Sequence, residues 1–206
     1  MANPDRSIDP RIMESAKKEF LAHGFERASL KAICEDAGVT TGALYKRYRS
    51  KEDLFCAVVA DTVDALNGFV AERSAVEPCS LSDELLIKAW EMGGNMLPWL
   101  RFLYSYHDGF VLLISGASGT RYANFQHDFV EIMTVKTHSY FLEAQKRGLT
   151  HADISLKEMH ILLSAFWTTV YEPFIHGYSW AQMEAHCDLV CKLFNWYQVL
   201  GFDAAI

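Results

Sequence analysis

Residues 29–51 read Ser29-Leu30-Lys31-Ala32-Ile33-Cys34-Glu35-Asp36-Ala37-Gly38-Val39-Thr40-Thr41-Gly42-Ala43-Leu44-Tyr45-Lys46-Arg47-Tyr48-Arg49-Ser50-Lys51, and this stretch decides the fold. Ser29 is placed to cap a helix that turns Leu30, Ile33, Cys34 and Ala37 to one face. Gly38 permits a sharp turn, and Val39 plugs the small core beneath it. Thr40 or Thr41 then caps a third, very short helix predicted to end at Tyr48. From Gly38 to Lys51 there are four cations and no acid, whereas the whole chain carries a net charge of -7. A locally basic, turn-interrupted helix pair on an acidic protein is what a helix-turn-helix reader of DNA requires.

Working outward, Asp9 and Pro10 open a first helix with Ile12, Met13, Ala16, Phe20 and Leu21 on one face, stopped at Gly24. Ser50 caps a long fourth helix, whose first turn carries Glu52 and Asp53 and whose inward face reads Leu54, Phe55, Val58, Val59, Thr62, Val63 and Leu66. A loop is expected over 75–82. Helix resumes at Asp83, with Trp90 and Met96 buried and a break at Gly93-Gly94 and Pro98. His107-Asp108-Gly109 reads as a turn and 115–120 as a loop. A long helix is predicted over Tyr122 to Arg147, stopped by Gly148. Two last helices, Ser155 to His176 and Trp180 to Leu200, are apolar on more than one face, and Ile161 and Leu193 are among the apolar positions they present. Such helices contact two neighbours, one of them a partner subunit. The expectation is an all-α protein of about nine helices, divided into residues 1–54 and 55–206.

Charge supports that division. Residues 1–54 balance at +1 and residues 55–206 at -8, so DNA contact must come through the N-terminal face. No apolar run approaches the ~20 residues of a membrane helix, and no membrane partner is expected. The opening Met-Ala-Asn-Pro-Asp-Arg leads into a charged helix rather than a secretory leader. Five cysteines without a CxxC pair suit a reduced cytoplasm.

At this point the chain resembles the TetR family of bacterial transcription regulators. The resemblance runs through Ala16, Phe20, Gly24-Phe25, Ala28-Ser29, Ile33, Ala37-Gly38-Val39, Gly42-Ala43-Leu44-Tyr45, Tyr48, Ser50-Lys51 and Leu54. It covers about residues 8–55, and the family more often has Phe where Tyr48 stands. It implies a homodimer joined by the two C-terminal helices, a palindromic double-stranded DNA operator, and a small-molecule effector that changes the spacing of two reading heads. The family's DNA contacts fall on Lys31, Thr41, Gly42, Tyr45, Lys46, Arg47 and Lys51.

The residue chemistry agrees. Thr40 and Thr41 sit at a helix N-terminus, where hydroxyls and free N–H groups meet a phosphate or a base edge. Gly42 and Ala43 allow close approach to the groove and to a thymine methyl. Tyr45 and Lys51 offer phosphate contacts, and Lys46 and Arg47 can read guanine or add further phosphate contacts. Tyr48 reads as packing and Arg49 as a solvated cation. For an apolar or aromatic effector, the expected lining is Trp90, Phe110, Tyr122, Phe125, Trp167 and Tyr171. The acidic body suits a neutral or cationic effector, and Glu172 is a candidate partner for a cationic one.

The remaining chemistry is thin. His127 with Glu131, and Cys187 with Cys191, are i, i+4 pairs that supply at most half a metal site, so no metal or cofactor is expected. No nucleophile, base and acid set or phosphate-binding glycine loop points to an enzyme working in the aromatic cavity. A ligand-released repressor is the leading expectation, with an activator or co-repressor-dependent regulator as the alternative.

Overall fold

In the computed structural model residues 9–202 are described, with the backbone alone at 92–95. The helices are α1 (Asp9–Arg27), α2 (Leu30–Ala37), α3 (Thr41–Tyr45), α4 (Lys51–Ser74), α5 (Asp83–Lys88), α6 (Met92–Ser105), α7 (His107–Val111), α8 (Phe125–Lys146), α9 (Leu156–Ile175), α10 (Trp180–Leu193) and α11 (Trp196–Val199). A 3-10 turn, Pro78–Ser80, precedes α5, and α7 passes into a π-helical stretch, Leu112–Gly116. The only β pairing among the described residues is a single bridge between Thr150 and Phe202. The fold is all-α.

The chain packs as two units, one running to Leu66 and including Tyr106–Phe125, the other comprising Asn67–Ser105 and the chain from Gln126 onward. In the first unit α1, α2 and α3 bury Ile12, Ala16, Phe20, Ile33, Ala37 and Leu44 against Leu54, Phe55 and Val59 of α4. Phe20, Phe25 and Phe55 form an aromatic cluster, with centroids 5.1 to 6.2 Å apart. The predicted α4 face is the buried one at Leu54, Phe55, Val59, Thr62 and Leu66, while Val58 and Val63 are half-buried. In the second unit Leu86, Leu100, Leu103, Phe141, Met159, Val170, Phe174 and Met183 make the core. Arg147 fastens the 78–83 turn to the end of α8, donating to the carboxylates of Glu143 and Asp83 and to the carbonyls of Leu81, Cys79 and Pro78.

Several local expectations are corrected. Gly24 breaks the helical backbone as expected (φ 70°, ψ 169°), but one more turn follows it to Arg27. Gly93-Gly94 and Pro98 lie inside α6, because burial of Trp99, Leu100 and Leu103 outweighs the local cost of glycine and proline. His107-Asp108-Gly109 is the first turn of α7 and not a loop. The last helix is interrupted at Phe194 and Asn195, where the Asn195 side chain accepts from the Gln198 N–H and starts α11. Trp196, just beyond the break, is buried, while Leu193 is 71% exposed and Ile161 60% exposed.

α4 is also long and apolar enough by composition to cross a membrane, with a mean hydropathy of 1.6 over its best window. That window is interrupted by Asp61 and Asp64 and is not a continuous apolar run. Its buried positions serve a protein core, however, and the charges Glu52, Asp53, Asp61 and Asp64 lie on the same helix.

One glycine is fixed by close approach. A Cβ on Gly109 would overlap the Thr62 hydroxyl and lie 2.9 Å from the Thr62 Cβ, so α7 rests directly on α4 within the first unit. Gly109→Ala is expected to cost about 1–3 kcal/mol of stability through overpacking. Adding Thr62→Ala should recover part of the loss. Thermal melts of the single and double variants check this, and an unchanged melting temperature for Gly109→Ala would remove the contact from the account.

Candidate nucleic-acid interface and ligand cavity

The α2–α3 pair is built by local caps. The Ser29 hydroxyl accepts from the Ala32 N–H at 3.3 Å, and the Thr40 hydroxyl accepts from the Ala43 N–H at 3.2 Å. Between the two helices Gly38 adopts the left-handed conformation (φ 63°, ψ 40°), donating to the carbonyls of Cys34 and Glu35. Ile33, Cys34, Ala37 and Leu44 are buried beneath the turn. Leu30 and Val39, read as part of that inner set, are half-buried.

The outer surface divides the sequence-assigned residues into two groups. Thr41, Gly42, Tyr45 and Lys46 are exposed, with Ala43 partly so. Tyr45 leaves an aromatic ring 51% exposed on a small helical unit. Lys31 is exposed on α2, its ammonium 3.7 Å from Glu35. Thr40 faces outward too, with its hydroxyl engaged in the cap.

Arg47 and Lys51 behave differently. The Arg47 guanidinium turns back onto the Asp9 carboxylate and donates to the Ala43 carbonyl at 3.2 Å, leaving its side chain 14% exposed. The Lys51 ammonium donates to the carbonyls of Glu26 and Ala28, each at 3.0 Å, and lies 4.7 Å from the Phe25 ring centre. Both cations hold the first unit together, so their geometry differs from that of free groups extended towards a phosphate. Tyr48 packs as read: its hydroxyl sits 3.3 Å from the Met13 sulfur, and burial pushes it above the ordinary phenol range. Arg49 is exposed.

In the second unit a cavity of about 300 Å³ opens between the end of α4 and helices α6, α8 and α9. That is the lower end of the range for small-molecule sites. Trp90 and Trp167 of the expected set line it. Tyr171 is buried behind, stacked on Trp167 at 5.9 Å. Phe110, Tyr122 and Phe125 belong to the first unit. There Phe110 meets Phe125 edge-on at 6.5 Å, and Tyr122 is half-buried near Cys56. The lining that sequence reasoning missed includes Phe69, Arg73, Trp99, Lys136, Tyr140, Leu163, Phe166 and Trp196. A usable signal existed in cations one helical turn from large apolar residues, Arg73 after Phe69 and Lys136 between Ile132 and Tyr140.

Other candidates resolve into structural roles. Glu172 is half-exposed and pairs with His176 at 3.2 Å, so it is no buried anchor for a cationic ligand. Burial and the neighbouring Cys191 push the Cys187 thiol up to about 12, the opposite of an activated thiolate. Among the described residues no three His, Cys, Asp or Glu side chains gather as metal ligands.

A capped helix pair around a left-handed glycine, with an exposed short second helix, defines a helix-turn-helix protein carrying a separate helical unit. Residues 12–58 match the bacterial regulatory proteins of the tetR family. Over 66 residues it is 33% identical to the HTH-type transcriptional repressor AcnR of Corynebacterium diphtheriae, covering 32% of this chain and 35% of that protein. Over 58 residues it is 40% identical to the HTH-type transcriptional regulator UidR of Escherichia coli, covering 28% of each. The matched stretch thus spans about a third of the length of these curated relatives. A TetR-like transcriptional regulator from Rhodococcus sp. RHA1 has a similar fold over 97% of this chain and 100% of its own, with a TM-score of 0.61 at 18% identity.

The Lys51 contacts generate a test. Lys51→Met removes two charge-assisted hydrogen bonds at a half-buried site, a loss of about 1 kcal/mol after solvent screening. The melting temperature is expected to fall by about 2–4 °C. An unchanged melt would mean that the ammonium is free to serve DNA alone.

Proposed function

We propose that this chain is a ligand-responsive transcriptional repressor that binds a palindromic operator as a homodimer and leaves it when a small molecule fills the cavity. Residues 1–54 are the reader, and residues 55–206 carry effector binding and dimerisation. The single observation that carries the reading is the exposed face of α3, where Thr41, Gly42, Tyr45 and Lys46 point outward without a folding task. A tyrosine half in water beside a lysine and an accessible glycine suits a groove lined by phosphates, and Gly42 lets the backbone approach base edges. Lys31 extends that surface, while Arg47 and Lys51 set its angle. The repressor AcnR supports the sign of regulation by its name alone. The protein acts where the operator lies, in the cytoplasm.

One head covers half an operator, and two heads must sit about one helical turn (~34 Å) apart. The exposed faces of α9 and α10 supply the seam. Ile161, Ala165 and Thr168 lie along one, and Ala185, Leu189 and Leu193 along the other. Large apolar side chains among small ones let four helices pack closely across a two-fold axis. α4 runs unbroken from Lys51 to the cavity residues Phe69 and Arg73. A ligand that prefers a shifted α4 therefore disfavours the DNA-bound arrangement by its difference in affinity for the two states.

In gel shifts with DNA from upstream of its own gene, a retarded band that fades with rising salt is expected. Tyr45→Ala should weaken it about 10-fold. No band at low salt, or an unaltered band for Tyr45→Ala, would count against the assignment of α3. Separately, Leu189→Glu with Leu193→Glu should convert a dimer to a monomer in light scattering and abolish operator binding, with helicity by circular dichroism unchanged. A persisting dimer would move the seam elsewhere.

A further inference from the structure

The cavity in the second unit contains two features that no packing role absorbs. Trp90 and Trp99 are each only 7% exposed, and both line it. The indole nitrogen of each is buried and donates to no acceptor among the described residues. An indole N–H can only donate, and buried donors are nearly always satisfied, so two donors are left over on residues that line the hollow. The rings themselves are well held, Trp99 stacking on Phe69 with centroids 4.0 Å apart.

The second feature is charge. The cavity is lined by Arg73, Lys136 and Glu91. The Lys136 ammonium is spent on the carbonyls of Ser74 at 3.1 Å and Val76 at 2.8 Å, which covers the negative end of α4. The Arg73 guanidinium lies over the Phe69 ring at 4.7 Å and pairs with no carboxylate among the described residues. An aromatic hollow by itself also suits a cation. A cation here would face Arg73 and Lys136, with Glu91 alone to offset them.

On the reading of this cavity as the effector site, we propose that it selects a compact apolar carboxylate carrying a second hydrogen-bond acceptor. The carboxylate pairs with Arg73, the apolar body lies among Leu163, Phe166 and Trp167, and the second acceptor takes the N–H of Trp90 or Trp99. Arg73 provides a planar fork that matches a carboxylate, which an amide or an amine cannot use in the same way. The volume of about 300 Å³ favours a body of fused-ring or short acyl size.

The test is calorimetric titration of the whole protein with 6-methoxy-2-naphthylacetate, its primary amide and the matching ethylammonium compound. The acid is expected to bind about 10-fold more tightly than the amide, with the ammonium weaker still. Arg73→Gln, at an exposed position that does not threaten folding, should bring the acid to the affinity of the amide and leave the amide unchanged, while Arg73→Lys keeps part of the preference. Removing the methoxy oxygen should cost about 3-fold, and Trp90→Phe with Trp99→Phe, which retains the aromatic rings, should erase that difference. An amide or ammonium compound that binds as well as the acid, or an acid preference that survives Arg73→Gln, would overturn the proposal and leave the effector site standing. If none of the three binds, the effector-site reading falls and the proposal with it.

Discussion

The exposed face of α3 depends on backbone carbonyls being held by a lysine. α1 ends on carbonyl groups that no helical N–H can reach, and the ammonium of Lys51 takes that of Glu26 together with that of Ala28 just beyond the helix. That contact pins the start of α4 to the end of α1. The Ser50 hydroxyl accepts from the Asp53 N–H, and the Asp53 carboxylate accepts from the Arg49 N–H, so the turn before α4 is closed from both directions. On the other flank Arg47 ties the end of α3 to Asp9. A five-residue helix has too few internal hydrogen bonds to stand alone, so its orientation comes from these ties and from buried Leu44.

This division of labour among cations changes how the electrostatics act. Four positive residues crowd 38–51, yet two of them are turned into the unit. Lys46 and Arg49 remain outward, joined by Lys31 on α2. A surface with few outward cations would draw less of any nucleic-acid affinity from counterion release and more from shape, N–H groups and close approach. The exposed Gly42 and Tyr45 on α3 provide that close surface.

What was legible in the sequence follows the range of each interaction. The caps at Ser29 and Ser50 and the stop at Gly148 are local, and each stands where spacing or residue type places it. The helix-turn-helix was legible for the same reason, since its turn chemistry lies within 14 residues of its cations. The partners of Arg47 and Lys51 stand 38 and up to 25 positions away, and no pattern along the chain says which way a long side chain will turn. Phe110, Tyr122 and Phe125 misled because aromatic residues serve a core and a cavity equally well. Only the tertiary arrangement separates them from Trp90 and Trp167. Helices apolar on two sides leave the choice of inner face to packing, and Ile161 and Leu193 lie on the outer one.

The cavity carries the same lesson about scale. Residues 55–206 hold a balance of -8, which taken as one field favours a neutral or cationic ligand. A bound molecule responds to groups within a few ångströms, because exposed charges beyond about 10 Å are screened at ordinary ionic strength. Within that range the walls offer Arg73 and Lys136 against Glu91, together with two indole N–H donors. The acidic exterior and a cationic interior are compatible, since the two act over different distances. An acid entering against the outer field would lose some association rate, and its affinity would still be set by the fit at Arg73.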